Sequence, residues 1–147
     1  MIILSINVYS FTPSQHISLS LILEKKSSNN FEAFTVGFIS HAIADSLTPQ
    51  HYTFDIFNPP SKEIDFISLE GFLSIYQILK YRDDVKKMYA VAGSLAPDII
   101  EAIFVLLDKQ RWYNGNHFFP WHDKGKRRQM SKEKTMLFTL WLFRVAW

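Results

Sequence analysis

The sequence predicts an all-α fold, a single compact multi-helix domain over residues 1–147, and three observations predict it. Apolar residues recur at helical spacing through most of the chain. Proline, glycine and hydroxyl residues fall where such stretches begin and end. No internal repeat, low-complexity tract or linker divides the chain. At 147 residues, about half of them apolar, it is long enough to bury a real core.

Residues 1–11 alternate weakly and fit a strand or an extended arm. Thr12-Pro13-Ser14 reads as a helix start with Pro13 at the first helical position, and Ile17, Leu19, Leu21, Ile22 and Leu23 carry that helix to about Lys25. Lys26 to Asn30 is a loop. Residues 31–47 form a helix that is apolar nearly all round, so burial is expected, and Thr48-Pro49 ends it. Asp55 to Pro60 is irregular, with Asn58-Pro59-Pro60 as the breaker. An amphipathic helix follows over 62–80. Asp83 to Leu95 reads as another, ending near Gly93, and Pro97 opens a further one to about Lys109. Residues 111–125 form a long aromatic loop near the C-terminus, and Ser131 caps an apolar terminal helix over 132–147.

Composition narrows the chemistry. The absence of cysteine excludes disulfides and thiolate metal sites, so any metal falls to His, Asp, Glu, backbone carbonyl or water. Five histidines are available: His16, His41, His51, His117 and His122. The 13 Phe, 6 Tyr and 4 Trp suit an apolar wall around such a site, although an ordinary core is their commoner use. A net charge of only +2 gives no strong nucleic-acid signal; the basic residues instead gather between Lys124 and Lys134. No basic n-region precedes Met1-Ile2-Ile3-Leu4 and no apolar run approaches the roughly 20 residues that span a bilayer, so a cytoplasmic location is expected.

The densest chemistry lies in His41-Ala-Ile-Ala-Asp45-Ser-Leu-Thr-Pro49-Gln-His51. Phe34, Phe38, His41 and Asp45 share one helix stripe, and a His and an Asp four apart converge on one point. Pro49 turns the chain and lets His51 return there. The competing reading makes His41 a hydrogen-bonded core histidine and Asp45 a cap or salt-bridged acid. Against it, the helix offers Asp45 no basic partner, burial of an unpaired carboxylate is costly, and the last turn of a helix disfavours an acid. A divalent metal, zinc in the first place, fits these ligands.

The pattern His-x3-Asp-x3-Pro-x-His resembles the metal-binding helix of the zinc-dependent phospholipase C and S1/P1 nuclease superfamily. That resemblance implies that His41, Asp45 and His51 are metal ligands and that the substrate is a phosphate ester or phosphodiester. The sequence departs from the family in lacking the N-terminal Trp ligand and a second His-x3-acid helix. Gly37-Phe-Ile-Ser40-His41 and Gly93-Ser-Leu-Ala-Pro97-Asp98 also resemble two pieces of small bacterial metal-dependent hydrolase-like proteins.

Asp98 and Glu101 have an ordinary explanation, since acids are favoured in the first turn of a helix opened by Pro97. The second resemblance sets Asp98 beside it as a metal ligand; Glu101, one turn later, is a weaker candidate as ligand or general base, and Glu101 or Asp55 is the candidate to receive a proton. His117 and His122 lie in the aromatic loop and are the natural partners for a site short of ligands; His122 beside Asp123 could also act as acid or base. His16, in the first turn of the first helix, is either an exposed polar residue or a further ligand turned inward. The basic run next to the apolar terminal helix permits peripheral membrane contact through 124–147, a core element or an oligomer contact.

The expectation is a metal-dependent hydrolase of phosphate esters or phosphodiesters, acting on a small or lipid substrate. The alternative is a non-catalytic helical metal-binding protein, with or without a membrane surface as its partner. A third reading is a metal-free helical interaction domain.

Overall fold

The computed structural model describes residues 7–10, 12–47, 50–55, 64–107, 128–129 and 131–147, with backbone alone for 7–10, 47, 50–55, 105 and 128–129. Among the described residues five helices dominate: α1 (Pro13–Glu24), α2 (Asn30–Leu47), α3 (Ile64–Tyr81), α4 (Val85–Leu107) and α5 (Lys132–Ala146). The all-α class holds. The described residues also hold three short strands: β1 (Asn7–Ser10), β2 (Gln50–Asp55) and β3 (Arg128–Gln129). β1 runs antiparallel to β2, pairing Asn7 with Asp55 and Ser10 with Tyr52. β2 runs parallel to β3, pairing His51 with Gln129.

Local signals explain most helix starts. Pro13 opens α1, and the Gln15 side-chain oxygen accepts the Thr12 N–H at 3.1 Å. Asn29 caps α2 by accepting the Glu32 N–H at 2.9 Å, while Glu32 reaches back to the Ser28 N–H at 2.7 Å. Asp84 caps α4 through the Lys87 N–H at 3.1 Å, and Ser131 caps α5 through Lys134.

Two expectations are corrected. Residues 50–55 form a strand that takes in Asp55, where the irregular stretch was expected to begin; Tyr52, Thr53 and Phe54 are strand formers in a run too short to announce itself. Residues 85–107 form one helix, not two, with Pro97 inside it. Proline removes the N–H that would bond the carbonyl four residues back, here Gly93, and normally ends or kinks a helix. Here packing overrides that preference, because α4 lies along both α1 and α2.

The α2–α4 contact is the most extensive in the molecule. Glycine makes it possible. A Cβ on Gly37 would sit 2.1 Å from the Ala90 carbonyl oxygen, and one on Gly93 would sit 2.1 Å from that of Phe34. The two backbones therefore touch where no side chain fits. α1 packs against all four other helices and is buried along most of its length. Ile17 and Leu21 of α1, Val91 of α4 and Ala146 of α5 form the apolar core cluster. No helix among the described residues is long and apolar enough to cross a membrane.

Candidate metal centre

α1 lies between two pairs of helices, and its His16 points toward α2 and α4. That side chain is fully buried, not the exposed first-turn residue that its position suggests. The His16 and His41 rings stack in parallel, with centroids 3.8 Å apart and planes 10° apart. Asp45 lies below them on the next turn of α2. Its Oδ1 is 3.4 Å from His16 Nε2 and its Oδ2 is 3.1 Å from His41 Nε2. From α4, Asp98 Oδ1 reaches to 3.6 Å from His41 Nε2. The ligand atoms of His16, His41 and Asp98 all lie within 4.8 Å of one another.

The close glycine crossing positions these groups. His41 is one turn beyond Gly37 on α2, and Ser94 follows Gly93 on α4. With the two backbones in contact, His41 Nδ1 lies 2.7 Å from the Ser94 carbonyl oxygen. Asp98 is one turn further along α4. Because α4 is continuous, Asp98 stands in mid-helix, and the helix-terminus explanation of its acid falls away. Asp45 is in the last turn of α2, as expected, where the dipole opposes a carboxylate.

The Ser94 carbonyl decides the chemistry of His41. A carbonyl only accepts, so Nδ1 carries the hydrogen and donates it. In a neutral ring Nε2 is then a lone pair facing two carboxylates at 3.1 and 3.6 Å. Lone pair and carboxylate repel, so a positive charge belongs between them. A proton on Nε2 meets that need. Burial works against the protonated ring, but the Asp45 hydrogen bond, the Asp98 and Asp45 charges and the Ser94 carbonyl outweigh it and raise the His41 pKa. A divalent cation would meet the same need: the converging ligand atoms of His16, His41 and Asp98 are two imidazoles and a carboxylate, a nitrogen and oxygen donor set suited to zinc and related ions, with the Asp45 carboxylate beside both rings. A histidine whose second nitrogen is fixed by a carbonyl is the usual arrangement of a metal ligand.

Burial is uneven across the cluster. His16, His41 and Asp45 are fully enclosed, while the Asp98 side chain is 29% exposed. Any approach from solvent is therefore on the Asp98 side. Glu101, one turn beyond Asp98, is buried; like Asp45 it is not one of the three residues whose ligand atoms converge, but Asp45 lies against both imidazoles.

Of the expected site residues, the structure brings together His16, His41, Asp45 and Asp98. His51 lies in β2 and Asp55 ends it, but their side chains lie outside the described residues, as do His117 and His122 altogether. Sequence reasoning missed the Ser94 carbonyl and the spacing function of Gly37 and Gly93. The glycines carried a signal, since glycine inside an apolar helix marks a close backbone approach. A carbonyl has no side-chain signature. Comparison with protein-family models, with curated proteins and with solved structures finds no match to the chain.

Proposed function

We propose that this chain is a metal-dependent hydrolase of phosphate esters or phosphodiesters, with its metal held by His16, His41, Asp45 and Asp98. The observation that carries the metal is the His41 ring: its Nδ1 is committed to the Ser94 carbonyl and its Nε2 is aimed at two carboxylates. A divalent ion in such a site supplies Lewis acidity, making water more acidic and polarising a phosphoryl oxygen. The residues have separate tasks. Ser94 fixes the His41 tautomer, Asp45 orients both imidazoles, and Asp98 faces the accessible side. In this reading the proton acceptor is Glu101, buried one turn beyond Asp98 on α4. The phosphoester substrate rests on the resemblance of the His41–His51 pattern to the phospholipase C and S1/P1 nuclease superfamily.

One observation favours a second reading. Three of the four ligands have no exposed surface, and structural metal sites are closed whereas catalytic ones keep an open position. Elemental analysis of untagged protein tests the metal first; absence of stoichiometric metal, before and after incubation with zinc or manganese, refutes both readings. Chelator-sensitive turnover of bis(p-nitrophenyl) phosphate, lost in Glu101→Gln with metal retained, then supports the enzyme. Bound metal without turnover supports the structural site.

A further inference from the structure

We infer that Pro97 is a positioning residue of the metal centre: it opens the turn of α4 that holds the His41 ring. The inference rests on the metal reading proposed above. It goes beyond that reading by giving a task to a residue whose side chain binds no metal.

Two contacts of the His41 ring with α4 fall on one turn of that helix. Nδ1 lies 2.7 Å from the Ser94 carbonyl oxygen, and Nε2 lies 3.6 Å from Asp98 Oδ1. Ser94 and Asp98 are four residues apart, the spacing at which a helix joins the carbonyl of the first to the N–H of the second. The imidazole is therefore inserted at a rung of the helix's own ladder. Pro97 stands within this turn, inside a 23-residue helix, and its side chain is fully buried. Proline is the least favourable residue for a helix interior. Filling space does not call for it, since apolar residues with an N–H keep the ladder intact.

The backbone gives Pro97 a more specific task. It has no N–H, so the Gly93 carbonyl lacks its donor within the helix, and the proline ring crowds that carbonyl. The turn from Gly93 to Pro97 is opened as a result. Gly93 lies where α4 meets α2, against the Phe34 carbonyl, so the opening is on the side of the helix that carries His41. The next carbonyl along, that of Ser94, leans out of the loosened turn and accepts the His41 Nδ1 hydrogen. Asp98 follows the proline directly, and the same turn sets its direction toward Nε2. An N–H at position 97 would draw the Gly93 carbonyl back toward the helix axis and the Ser94 carbonyl with it. His41 would then lose its hold at Nδ1, and Asp98 would rotate away from Nε2.

Two variants of the full chain test this. Pro97→Ala restores the N–H, and Pro97→Val restores it while keeping most of the ring's bulk. Each is titrated with zinc, and its imidazole proton–nitrogen NMR spectrum is recorded without metal. Both variants are expected to bind zinc about tenfold or more weakly than wild type, the scale of change when groups around a metal ligand are altered. Both should shift or lose the slowly exchanging His41 Nδ1–H signal. Either variant with wild-type zinc affinity and an unchanged Nδ1–H signal overturns the proposal. If Pro97→Val alone behaves so, bulk and not the missing N–H is what the proline contributes. The wild-type spectrum is a test that needs no variant: a His41 Nδ1–H that exchanges as fast as a free imidazole overturns the proposal by itself. Wild-type protein that takes up no zinc defeats the metal reading instead, and the Nδ1–H signal of the variants still decides the task of Pro97.

Discussion

Two polar clusters are buried on opposite sides of α1, in adjacent residues, and they are put together differently. On the α3–α5 side Ser14, Gln15, Glu70 and Thr139 form a closed circuit. Glu70 accepts from Ser14 and from Thr139 at 2.8 Å, Gln15 donates to Thr139 at 2.7 Å, and the Gln15 oxygen takes the Thr12 N–H. Among the described residues the carboxylate there meets neutral donors. On the α2–α4 side the next residue, His16, enters a cluster where carboxylates meet imidazoles, two rings stack, and one ring nitrogen is tied back to a carbonyl. The first arrangement fastens three helices together. The second concentrates negative charge around ring nitrogens and calls for a cation. Burial and polarity alone therefore do not mark a functional site; the sign and direction of the groups do.

The largest effect should come from breaking what is special to the second cluster, its glycine crossing. Valine at position 93 puts side-chain carbon where the Phe34 carbonyl lies. Gly93→Val should cost about 3 kcal/mol or more, as overpacking with backbone displacement does. It should also weaken zinc binding, because α2 and α4 can no longer bring His41 to Asp98. Urea denaturation and zinc titration of the same preparation check the two together. Normal zinc affinity in the destabilised protein would show that the crossing does not position the ligands.

Glu70→Ala is the converse test. It leaves the Ser14 and Thr139 hydroxyls without their acceptor in the interior. The expected loss is about 2–3 kcal/mol, with zinc affinity unchanged. A matching fall in affinity would mean that the two clusters are coupled through α1, and the separation drawn above would fail.

How much of this contrast was legible in the sequence depended on whether a residue's partners were local. His41 and Asp45 are four apart on one helix, so their convergence could be read directly. The helix starts at Pro13 and Ser131 were equally local. Asp98 stands in the sequence between a first-turn acid and a metal ligand because Pro97 looks like a helix start, and in the fold α4 runs on through Pro97, packed along α1 and α2. His16 stands in the sequence between an exposed first-turn residue and a ligand turned inward, because spacing alone does not say which way the start of α1 faces. Its burial follows from being surrounded by four helices. The Glu70 circuit joins residues 56 and 69 positions apart, and no spacing rule reaches that far. The strand at 50–55 depends on pairing with β1 and β3, which are equally remote.

Asp98→Asn separates site from scaffold more finely. Asp98 is partly exposed and lies at the accessible edge of the cluster. The change keeps its shape and removes its charge. Zinc affinity should fall about tenfold or more, on the scale seen when groups around a metal are altered, with thermal stability of the metal-free protein nearly constant. A variant that binds zinc as wild type does would remove Asp98 from the ligand set.

The smallest effect should come from the exposed counterpart of these clusters, the Asp84–Lys87 pair at the start of α4. Its groups are the same kind as those inside, a carboxylate and a cation, but water reaches both. The side-chain and backbone hydrogen bonds from Lys87 hold the Asp84 pKa below its usual value. A depressed folded-state pKa stabilises the protein above the unfolded value, about 3.9, and that stability disappears as pH falls through the folded value. Asp84→Ala should therefore lower the melting temperature at neutral pH and have progressively less effect in increasingly acidic buffer. Solvent screening limits the ion-pair part to about 0–1 kcal/mol, and loss of the N-cap adds about 1 kcal/mol. Most of the deficit should survive added salt, since the cap is a hydrogen bond to a backbone N–H. If salt abolished it, charge rather than capping would be what the pair contributes, and even at the surface polarity would have to be judged as it is inside, by what each group faces.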